Sequence, residues 1–225
     1  MWWPSAPAAG RPAGCLACYV TDGRAFGADE AAATARILQA IARAADAGVD
    51  AVQLREKDLP ARALLQLAES AVARNPNTKI LVNDRLDVAL AAGAAGVHLG
   101  SESVPVADVA AFRAAGRAPA GGFLIGRSCH CLEEVLAAER DAADYVFFGP
   151  VFSTPSKARY GPPQGIEALA AVCRGARIPV LAIGGITLEN AGECAAAGAA
   201  GVAAIRLFQE AEDLHSIVRR LKQAS

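Results

Sequence analysis

The chain has 225 residues, of which 53% are hydrophobic and 5% aromatic, and its formal net charge at pH 7 is −1. This length suits one large domain or two small ones, with a core built mainly of Ala, Val, Leu and Ile. The near-neutral charge argues against a nucleic-acid-binding protein, which would carry a basic excess. No apolar stretch approaches the roughly 18 residues needed to cross a bilayer.

The first segment, residues 1–14 ("MWWPSAPAAGRPAG"), has neither a basic amino-terminal region nor a long apolar run. We therefore interpret it as a flexible tail and not as a signal peptide. Residues 15–225 then form a single domain. Without a secretion signal, we expect a cytoplasmic protein whose six cysteines stay reduced.

Short β-like runs alternate with Ala-rich helical segments from Cys15 onward. Ala is the best helix former, and Gly after a helix favours its termination. The heptapeptide "AAGAAGV" occurs at 91–97 and again at 196–202, and each copy reads as a helix end, a Gly stop and entry into a strand. We predict strands at residues 16–22, 51–57, 79–84, 96–100, 123–128, 145–151, 179–185 and 201–206.

Eight strands that alternate with helices imply parallel pairing with right-handed crossovers. Two closures are compatible with this order: an open doubly wound sheet and a closed barrel. The strand count and the chain length favour a single-domain α/β (β/α)₈ TIM barrel. No G-x-G-x-x-G motif follows the first strand, which weakens the dinucleotide-binding alternative.

The second predicted strand, "AVQLREK", carries polar side chains at every other position. Gln53, Arg55 and Lys57 share one face because side chains alternate along a strand. We expect these side chains to point into the barrel at successive levels, toward the carboxyl-terminal end where TIM-barrel active sites lie. Two cations there form an anion cradle, because their burial is tolerable when an anion neutralises them. The alternative is an internal salt bridge with Glu56 or Asp84.

The end of the third predicted strand, "NDR", offers the carboxylate of Asp84. Mg²⁺ typically binds one or two carboxylates together with substrate phosphates, so a magnesium site is one interpretation. The other is that Asp84 caps the helix that follows. Both stay open from the residues alone.

Glycine and polar residues follow several later strands. Gly184 and Gly185 come after the seventh strand, where TIM-barrel loops commonly bind a phosphate on backbone N–H groups. Glycine lets the backbone approach such a phosphate closely. Ser128, the segment "STPSK" (153–157) and Arg206 end the fifth, sixth and eighth strands.

Two cysteine patterns suggest a metal site but do not complete one. Cys15 and Cys18 belong to the start of the first strand, at the bottom of the barrel, whereas "CHC" (129–131) follows the fifth strand at the top. Neither group supplies four ligands, and opposite ends cannot share one Zn²⁺. We interpret these thiols as structural.

The three histidines have different expected positions. His130 follows the fifth strand at the rim, where an imidazole could shuttle a proton. His98 lies on the fourth strand and is expected to form hydrogen bonds inside the barrel. His215 lies on the last helix and is expected at the surface.

Several segments together resemble the thiamine phosphate synthase and thiazole tautomerase family, whose members are related (β/α)₈ barrels. They are "QLREK", "LVNDRLDVAL", "GVHLG", "IGRSCHCLEE", "ADYVFFGPVFSTPSK" and "IPVLAIGGIT", and the resemblance covers roughly residues 15 to 215. It implies a synthase that joins hydroxymethylpyrimidine diphosphate to a thiazole phosphate and releases pyrophosphate. Mg²⁺ and cations would draw off the diphosphate, and the thiazole nitrogen would capture the pyrimidine-methyl cation.

The resemblance also implies roles for individual residues. Asp84 would bind Mg²⁺, while Arg55, Lys57 and Lys157 would stabilise the departing diphosphate. The pyrimidine diphosphate would further contact Gln53, Asn83 and Ser128. The thiazole phosphate would be bound by Thr154, Ser156, Gly184, Gly185, Ile205 and Arg206.

The sequence departs from the synthase pattern at two positions. Ser103, after Glu102, stands where synthases usually carry a second aspartate ligand for Mg²⁺, and Arg206 stands where they usually carry a serine. "IGRSCHCLEE" also resembles the tautomerase branch, in which His130 would be catalytic. A non-catalytic binder of thiamine precursors is a third alternative. Each implies small-molecule partners and no nucleic acid or membrane, and a homodimer stays open.

Overall fold

The computed structural model describes residues 14–27, 30–119, 122–154 and 162–223. Within these residues, eight parallel strands pair in chain order, and the eighth pairs with the first to close a barrel. The predicted (β/α)₈ barrel is therefore confirmed, and the open doubly wound sheet is excluded. The predicted tail, except Gly14, lies outside the described residues.

The eight predicted strands are all present, and helices lie between them. The strands are β1 Leu16–Val20, β2 Ala51–Leu54, β3 Lys79–Asn83, β4 Gly96–Leu99, β5 Leu124–Cys129, β6 Tyr145–Phe148, β7 Val180–Ile183 and β8 Gly201–Ala204. The helices are α1 Glu30–Asp46, α2 Ala61–Arg74, α3 Leu86–Ala91, α4 Val106–Ala114, α5 Leu132–Arg140, α6 Gly165–Gly175, α7 Ala191–Ala196, α8 Arg206–Gln209 and α9 Leu214–Gln223, with a 3₁₀ helix Gly23–Phe26 after β1. Of the helices in the described residues, none is both long and apolar enough to span a membrane.

The predicted strands were too long at most carboxyl ends. The second was predicted to reach Lys57, but β2 ends at Leu54. Arg55 and Lys57 therefore belong to the loop that follows the strand. This difference matters for the site, because loop residues at the barrel mouth are not fixed by the hydrogen-bond ladder.

The repeated heptapeptide forms the same connection twice, as predicted. In residues 91–97 and 196–202, a helix ends and the glycine at the third position adopts a positive φ, 64° at Gly93 and 104° at Gly198. Glycine adopts this left-handed conformation without the strain that a Cβ atom would add. Each copy thereby turns the chain from a short helix into the next strand.

Side-chain alternation divides the core into two layers. Ala51 belongs to the cluster inside the barrel, whereas Val52 and Leu54 belong to the larger cluster between barrel and helices. Tyr145 and Phe147 fill the interior with large rings that are almost fully buried. Among the described residues, the space for a ligand above this filled interior lies at the mouth of the barrel.

Gly126 tests how tightly this interior is packed. A Cβ atom added there would lie 2.6 Å from Nδ1 of His98 and closer still to the buried ring of Tyr145. We expect Gly126→Ala to lower the free energy of unfolding by about 1–3 kcal/mol, the usual cost of overpacking. Urea denaturation followed by far-UV circular dichroism measures this change.

The matched control is Gly192→Ala in α7, where an added Cβ meets no atom within 4 Å. Alanine favours a helix over glycine by up to about 1 kcal/mol, so this variant should be as stable as the wild type or more stable. Equal stability of the two variants would contradict the packing described for the barrel interior.

Candidate active site

A cavity of about 760 Å³ opens at the carboxyl ends of the strands. This volume is in the range of sites for cofactors and other small molecules. Ser156 and Lys157 lie outside the described residues. The other predicted substrate-binding and diphosphate-stabilising residues all line the cavity: Gln53, Arg55, Lys57, Asn83, Ser128, Thr154, Gly184, Gly185, Ile205 and Arg206.

Gln53 and Asn83 form a fixed amide pair in the cavity wall. Nε2 of Gln53 donates a hydrogen bond of 2.9 Å to Oδ1 of Asn83. Gln53 is only 2% exposed, so this bond satisfies a buried polar group. The pair leaves the remaining amide atoms with a fixed orientation at the end of β2 and β3.

Arg55 and Lys57 bring positive charge to the same cavity. In the described part of the chain, neither cation forms an ion pair with a carboxylate. The carboxylate of Glu56 instead accepts hydrogen bonds from the hydroxyl of Thr21 and the N–H of Gly23. The alternative of an internal salt bridge with Glu56 or Asp84 is therefore wrong, and both cations remain available to an anion.

Ser128 is supported from inside the barrel. Its hydroxyl lies 2.9 Å from Nε2 of His98, and Nδ1 of His98 lies 3.1 Å from the hydroxyl of Tyr145. The ring of Phe147 packs against the imidazole with centroids 4.2 Å apart. The interior position predicted for His98 is confirmed, and the chain of contacts fixes the Ser128 hydroxyl at the cavity floor.

The glycine pair after β7 forms a tight turn that only glycine fits. Gly184 and Gly185 have φ values of 96° and 67°. A Cβ atom at Gly184 would lie 2.5 Å from the side chain of Pro150, and one at Gly185 would lie 2.6 Å from the carbonyl oxygen of Ser153. The turn lines the cavity beside Ile205 and Arg206.

Asp84 lies beside the main cavity, in a smaller one of about 230 Å³ that also contacts Lys57. Its exposed carboxylate accepts a hydrogen bond from the hydroxyl of Ser103, which itself accepts the N–H of Gly100 at 2.7 Å. Helix α3 has Arg85 at its amino-terminal cap position and no side-chain capping bond. The alternative that Asp84 caps this helix is therefore wrong.

His130 lies at the rim but outside the cavity lining. Its imidazole is exposed, and Nδ1 contacts the carbonyl oxygen of Gly149. Its backbone N–H donates to Oε2 of Glu134 at 2.6 Å, which orders the start of α5. His215 is on the surface as predicted, 3.2 Å from the carboxylate of Asp46.

Four of the six cysteines are buried thiols: Cys15, Cys18, Cys129 and Cys194. Across the described residues, no group of three or more His, Cys, Asp or Glu side chains could hold a metal ion. Burial raises the pKa of the Cys15 thiol to about 11 and that of Cys129 to about 12, so both stay protonated at neutral pH. These properties agree with the predicted structural role.

Sequence reasoning missed the part of the cavity wall that comes from the segment after β1. Asp22, Gly23 and Arg24 line the cavity, and Arg24 forms a two-pronged ion pair with Asp58 at 2.6 and 2.8 Å. The available signal was the sequence "TDG" at the end of the first strand, because polar residues at strand ends lie at the barrel mouth.

Known proteins are similar to this chain over most of its length. The family described as "Thiamine monophosphate synthase" matches residues 20–208 of the chain. The thiamine-phosphate synthase of Chlorobium luteolum is 42% identical over 186 residues, covering 82% of this chain and 85% of its own. That of Methanocella arvoryzae is 44% identical over 187 residues, covering 81% of this chain and 84% of its own.

A solved structure leads to the same group of proteins. Thiamine phosphate pyrophosphorylase from Pyrococcus furiosus superimposes with a TM-score of 0.75 and 32% sequence identity. The alignment covers 93% of this chain and 94% of that one. A structure of 3-hexulose-6-phosphate synthase is 16% identical with a TM-score of 0.64 and shares the fold alone.

The buried His98 makes the stability of the protein depend on pH. Burial, with added repulsion from Arg127 and Arg55, lowers the pKa of His98 from 6.5 to about 3. The unfolded chain therefore takes up a proton before the folded one as pH falls. The stability that depends on neutral His98 is complete above about pH 6.5 and is lost as pH falls toward about 3.

We expect His98→Gln to reduce the loss of unfolding free energy between about pH 6.5 and pH 4.5, because one titrating group is removed. The difference amounts to at most about 1.4 kcal/mol per pH unit. Urea denaturation at both pH values measures it, with exposed His215→Gln as the control. If the unfolding free energy of His98→Gln depends on pH as that of the wild type does, a lowered pKa of His98 in the folded protein is contradicted.

Proposed function

Because the chain belongs to the thiamine monophosphate synthase family, we propose that its cavity joins hydroxymethylpyrimidine diphosphate to a thiazole phosphate and releases pyrophosphate. The protein is accordingly a transferase of thiamine biosynthesis. One observation carries the proposal: Arg55 and Lys57 line a cavity that also contains the Gly184–Gly185 turn, and no carboxylate is ion-paired with either cation among the described residues. One cavity thus has a cationic wall for a diphosphate and a glycine turn for a second phosphate.

The cationic wall would act on the leaving group. The bond between the pyrimidine methylene carbon and the diphosphate oxygen breaks, and its electron pair leaves with the oxygen as pyrophosphate. Arg55 and Lys57 stabilise the negative charge that grows on this oxygen, which is the commonest large contribution to catalysis. Lys157, which lies outside the described residues, would add a third cation.

The glycine turn would hold the nucleophile. The thiazole phosphate binds to N–H groups around Gly184 and Gly185, with Thr154, Ile205 and Arg206 beside it. Ser156, which lies outside the described residues, would add a further contact. The lone pair of the thiazole nitrogen then forms a bond to the methylene carbon. Gln53, Asn83 and Ser128 hold the pyrimidine ring in line with this attack, which requires no proton transfer at the new bond.

The residues around Asp84 fit a magnesium ion. The carboxylate is exposed, it accepts a hydrogen bond from the Ser103 hydroxyl, and it lines a small cavity together with Asn83 and Lys57. Mg²⁺ keeps several waters and commonly uses one or two carboxylates with substrate phosphates. Asp84, with the Ser103 hydroxyl in contact with it, would hold the ion, and bound Mg²⁺ would neutralise part of the diphosphate charge. Glu102, the residue before Ser103 in the sequence, would be a further ligand.

Isomerisation at His130, the tautomerase alternative, gains no support from the geometry. The imidazole is exposed and lies outside the cavity lining, and its Nδ1 contacts the carbonyl oxygen of Gly149. A proton-transfer base must reach the reacting atom directly or through one water. We therefore do not propose this reaction for the chain.

The first test of the proposal is removal of each cation. Arg55→Ala and Lys57→Ala should each lower kcat/KM by on the order of 10²–10³, because each removes a group that stabilises the departing charge. The measurement is formation of thiamine phosphate and pyrophosphate from both substrates with Mg²⁺. Arg219→Ala, on an exposed part of α9, serves as the control for loss of a cation.

Full activity in both cavity variants would overturn the synthase assignment of this wall. Circular dichroism spectra identical to the wild type would show that the losses come from chemistry and not from unfolding.

The second test concerns Ser103, whose hydroxyl contacts the Asp84 carboxylate. Ser103→Asp places a second carboxylate against the first, and a divalent cation relieves their repulsion. We expect the variant to need a several-fold lower Mg²⁺ concentration for half-maximal activity, and to bind Mg²⁺ more tightly by calorimetry in the presence of pyrophosphate.

Arg206→Ser is the control for this test, since it should change the KM for the thiazole phosphate and leave the Mg²⁺ requirement as it is. An unchanged Mg²⁺ requirement in an active Ser103→Asp enzyme would show that the metal lies elsewhere.

A further inference from the structure

Glu56 is the charged residue of the segment 53–57 to which the proposed function gives no role. Its carboxylate is half-buried and points to the segment after β1, where Oε1 accepts from the Thr21 hydroxyl and Oε2 accepts from the Gly23 N–H at 2.8 Å. Burial raises the pKa of Glu56, so the ionised side chain depends on these two donors. The carboxylate is therefore an anchoring point between two loops at the cavity mouth.

Thr21 connects this carboxylate to Arg55. Its side chain is fully buried, and while its hydroxyl donates to Glu56, the same oxygen accepts the backbone N–H of Arg55 at 3.0 Å. The backbone N–H of Thr21 also donates to the carbonyl oxygen of Gln53 at 3.0 Å. Arg55 is the first residue beyond β2, so the Thr21 oxygen takes the place of the next bond of the ladder.

The Glu56 carboxylate is also closely packed against Gly23. A Cβ atom at Gly23 would lie 2.5 Å from Oε2 of Glu56 and 2.9 Å from Cδ1 of Ile37. Gly23 therefore allows the carboxylate to reach the backbone N–H. The same two loops are also joined by Arg24 and Asp58, but these side chains are 72% and 67% exposed, and such pairs contribute little.

We propose that Glu56, acting through Thr21, is a positioning residue that holds the Arg55 backbone so that the guanidinium meets the leaving diphosphate. The proposal rests on the synthase function proposed above. Its physical basis is preorganisation: a cation fixed before the substrate arrives stabilises the departing charge without first having to be ordered. Glu56 itself touches no substrate in this scheme.

The test is a double-mutant cycle between Glu56 and Arg55. Glu56→Gln keeps the shape of the side chain but loses its charge and one acceptor, and we expect kcat to fall by roughly tenfold or more, since a misplacement of about 1 Å can cost on the order of 10²-fold. In the Arg55→Ala background the same change should have almost no further effect. If the fall in kcat of the double variant equals the product of the falls in the two single variants, the role of Glu56 is merely structural and the proposal is overturned.

Thr21 provides a second route that does not depend on the Glu56 variant folding well. Thr21→Val removes the hydroxyl at nearly constant volume and should lower kcat as Glu56→Gln does, whereas Thr21→Ser keeps the hydroxyl and should retain activity within a few-fold. Equal activity of the valine and serine variants would overturn the proposal.

The matched control is Glu139→Gln in α5. This carboxylate also accepts a backbone N–H, that of Arg177 at 2.8 Å, but it lies outside the cavity lining. It should leave kcat unchanged, so a fall equal to that of Glu56→Gln would overturn the proposal.

Calorimetric binding of inorganic pyrophosphate separates this proposal from the proposed function. Suppose that the wild type binds pyrophosphate tightly and that the losses of affinity in Glu56→Gln and Arg55→Ala do not multiply in the double variant. This result supports the positioning role even if no thiamine phosphate is formed. Synthase activity with multiplying effects overturns positioning alone. Absence of both activity and pyrophosphate binding in the wild type overturns both.

Discussion

Closure of the parallel barrel sends every strand to the same rim, and the site depends on this geometric constraint. Gln53, Asn83 and Ser128 are separated by tens of residues in the sequence, yet they line one cavity because each lies at or next to the carboxyl end of a different strand. The interior below them is filled by Tyr145 and Phe147. A ligand can therefore bind at the mouth, and polar residues at strand ends are the ones that meet it.

The proposed reaction would use two kinds of anion recognition at this mouth. On one side Arg55 and Lys57 provide charge, which suits a group whose negative charge increases during the reaction. On the other side the Gly184–Gly185 turn provides close backbone approach, which suits a phosphate that only has to be held. Ser103 contacts the Asp84 carboxylate, and Arg206 lines the cavity beside the glycine turn.

The direction of Glu56 keeps the cationic wall open. A carboxylate between Arg55 and Lys57 in the sequence could have neutralised either of them, and an internal ion pair would compete with the substrate. Thr21 and Gly23 instead satisfy both carboxylate oxygens on the β1 side. The segment thus presents its cations to the cavity while its own negative charge is held by a neighbouring loop.

Much of this could be predicted from sequence, because it depends on periodicity. The alternation of side chains along β2 predicted that Gln53 faces the cavity, and the repeated "AAGAAGV" indicated the βα connections. Most strands were predicted to end later in the sequence than they do. The helix cap at Asp84 and the salt bridge with Glu56 were wrong alternatives. The residues after β1 that line the cavity were not predicted. These features depend on contacts between residues distant in the chain, such as Thr21 with Glu56 and Asp84 with Ser103. Local pattern determines which face a side chain occupies, but only the closed barrel decides which loop lies opposite it and which donor reaches its charge.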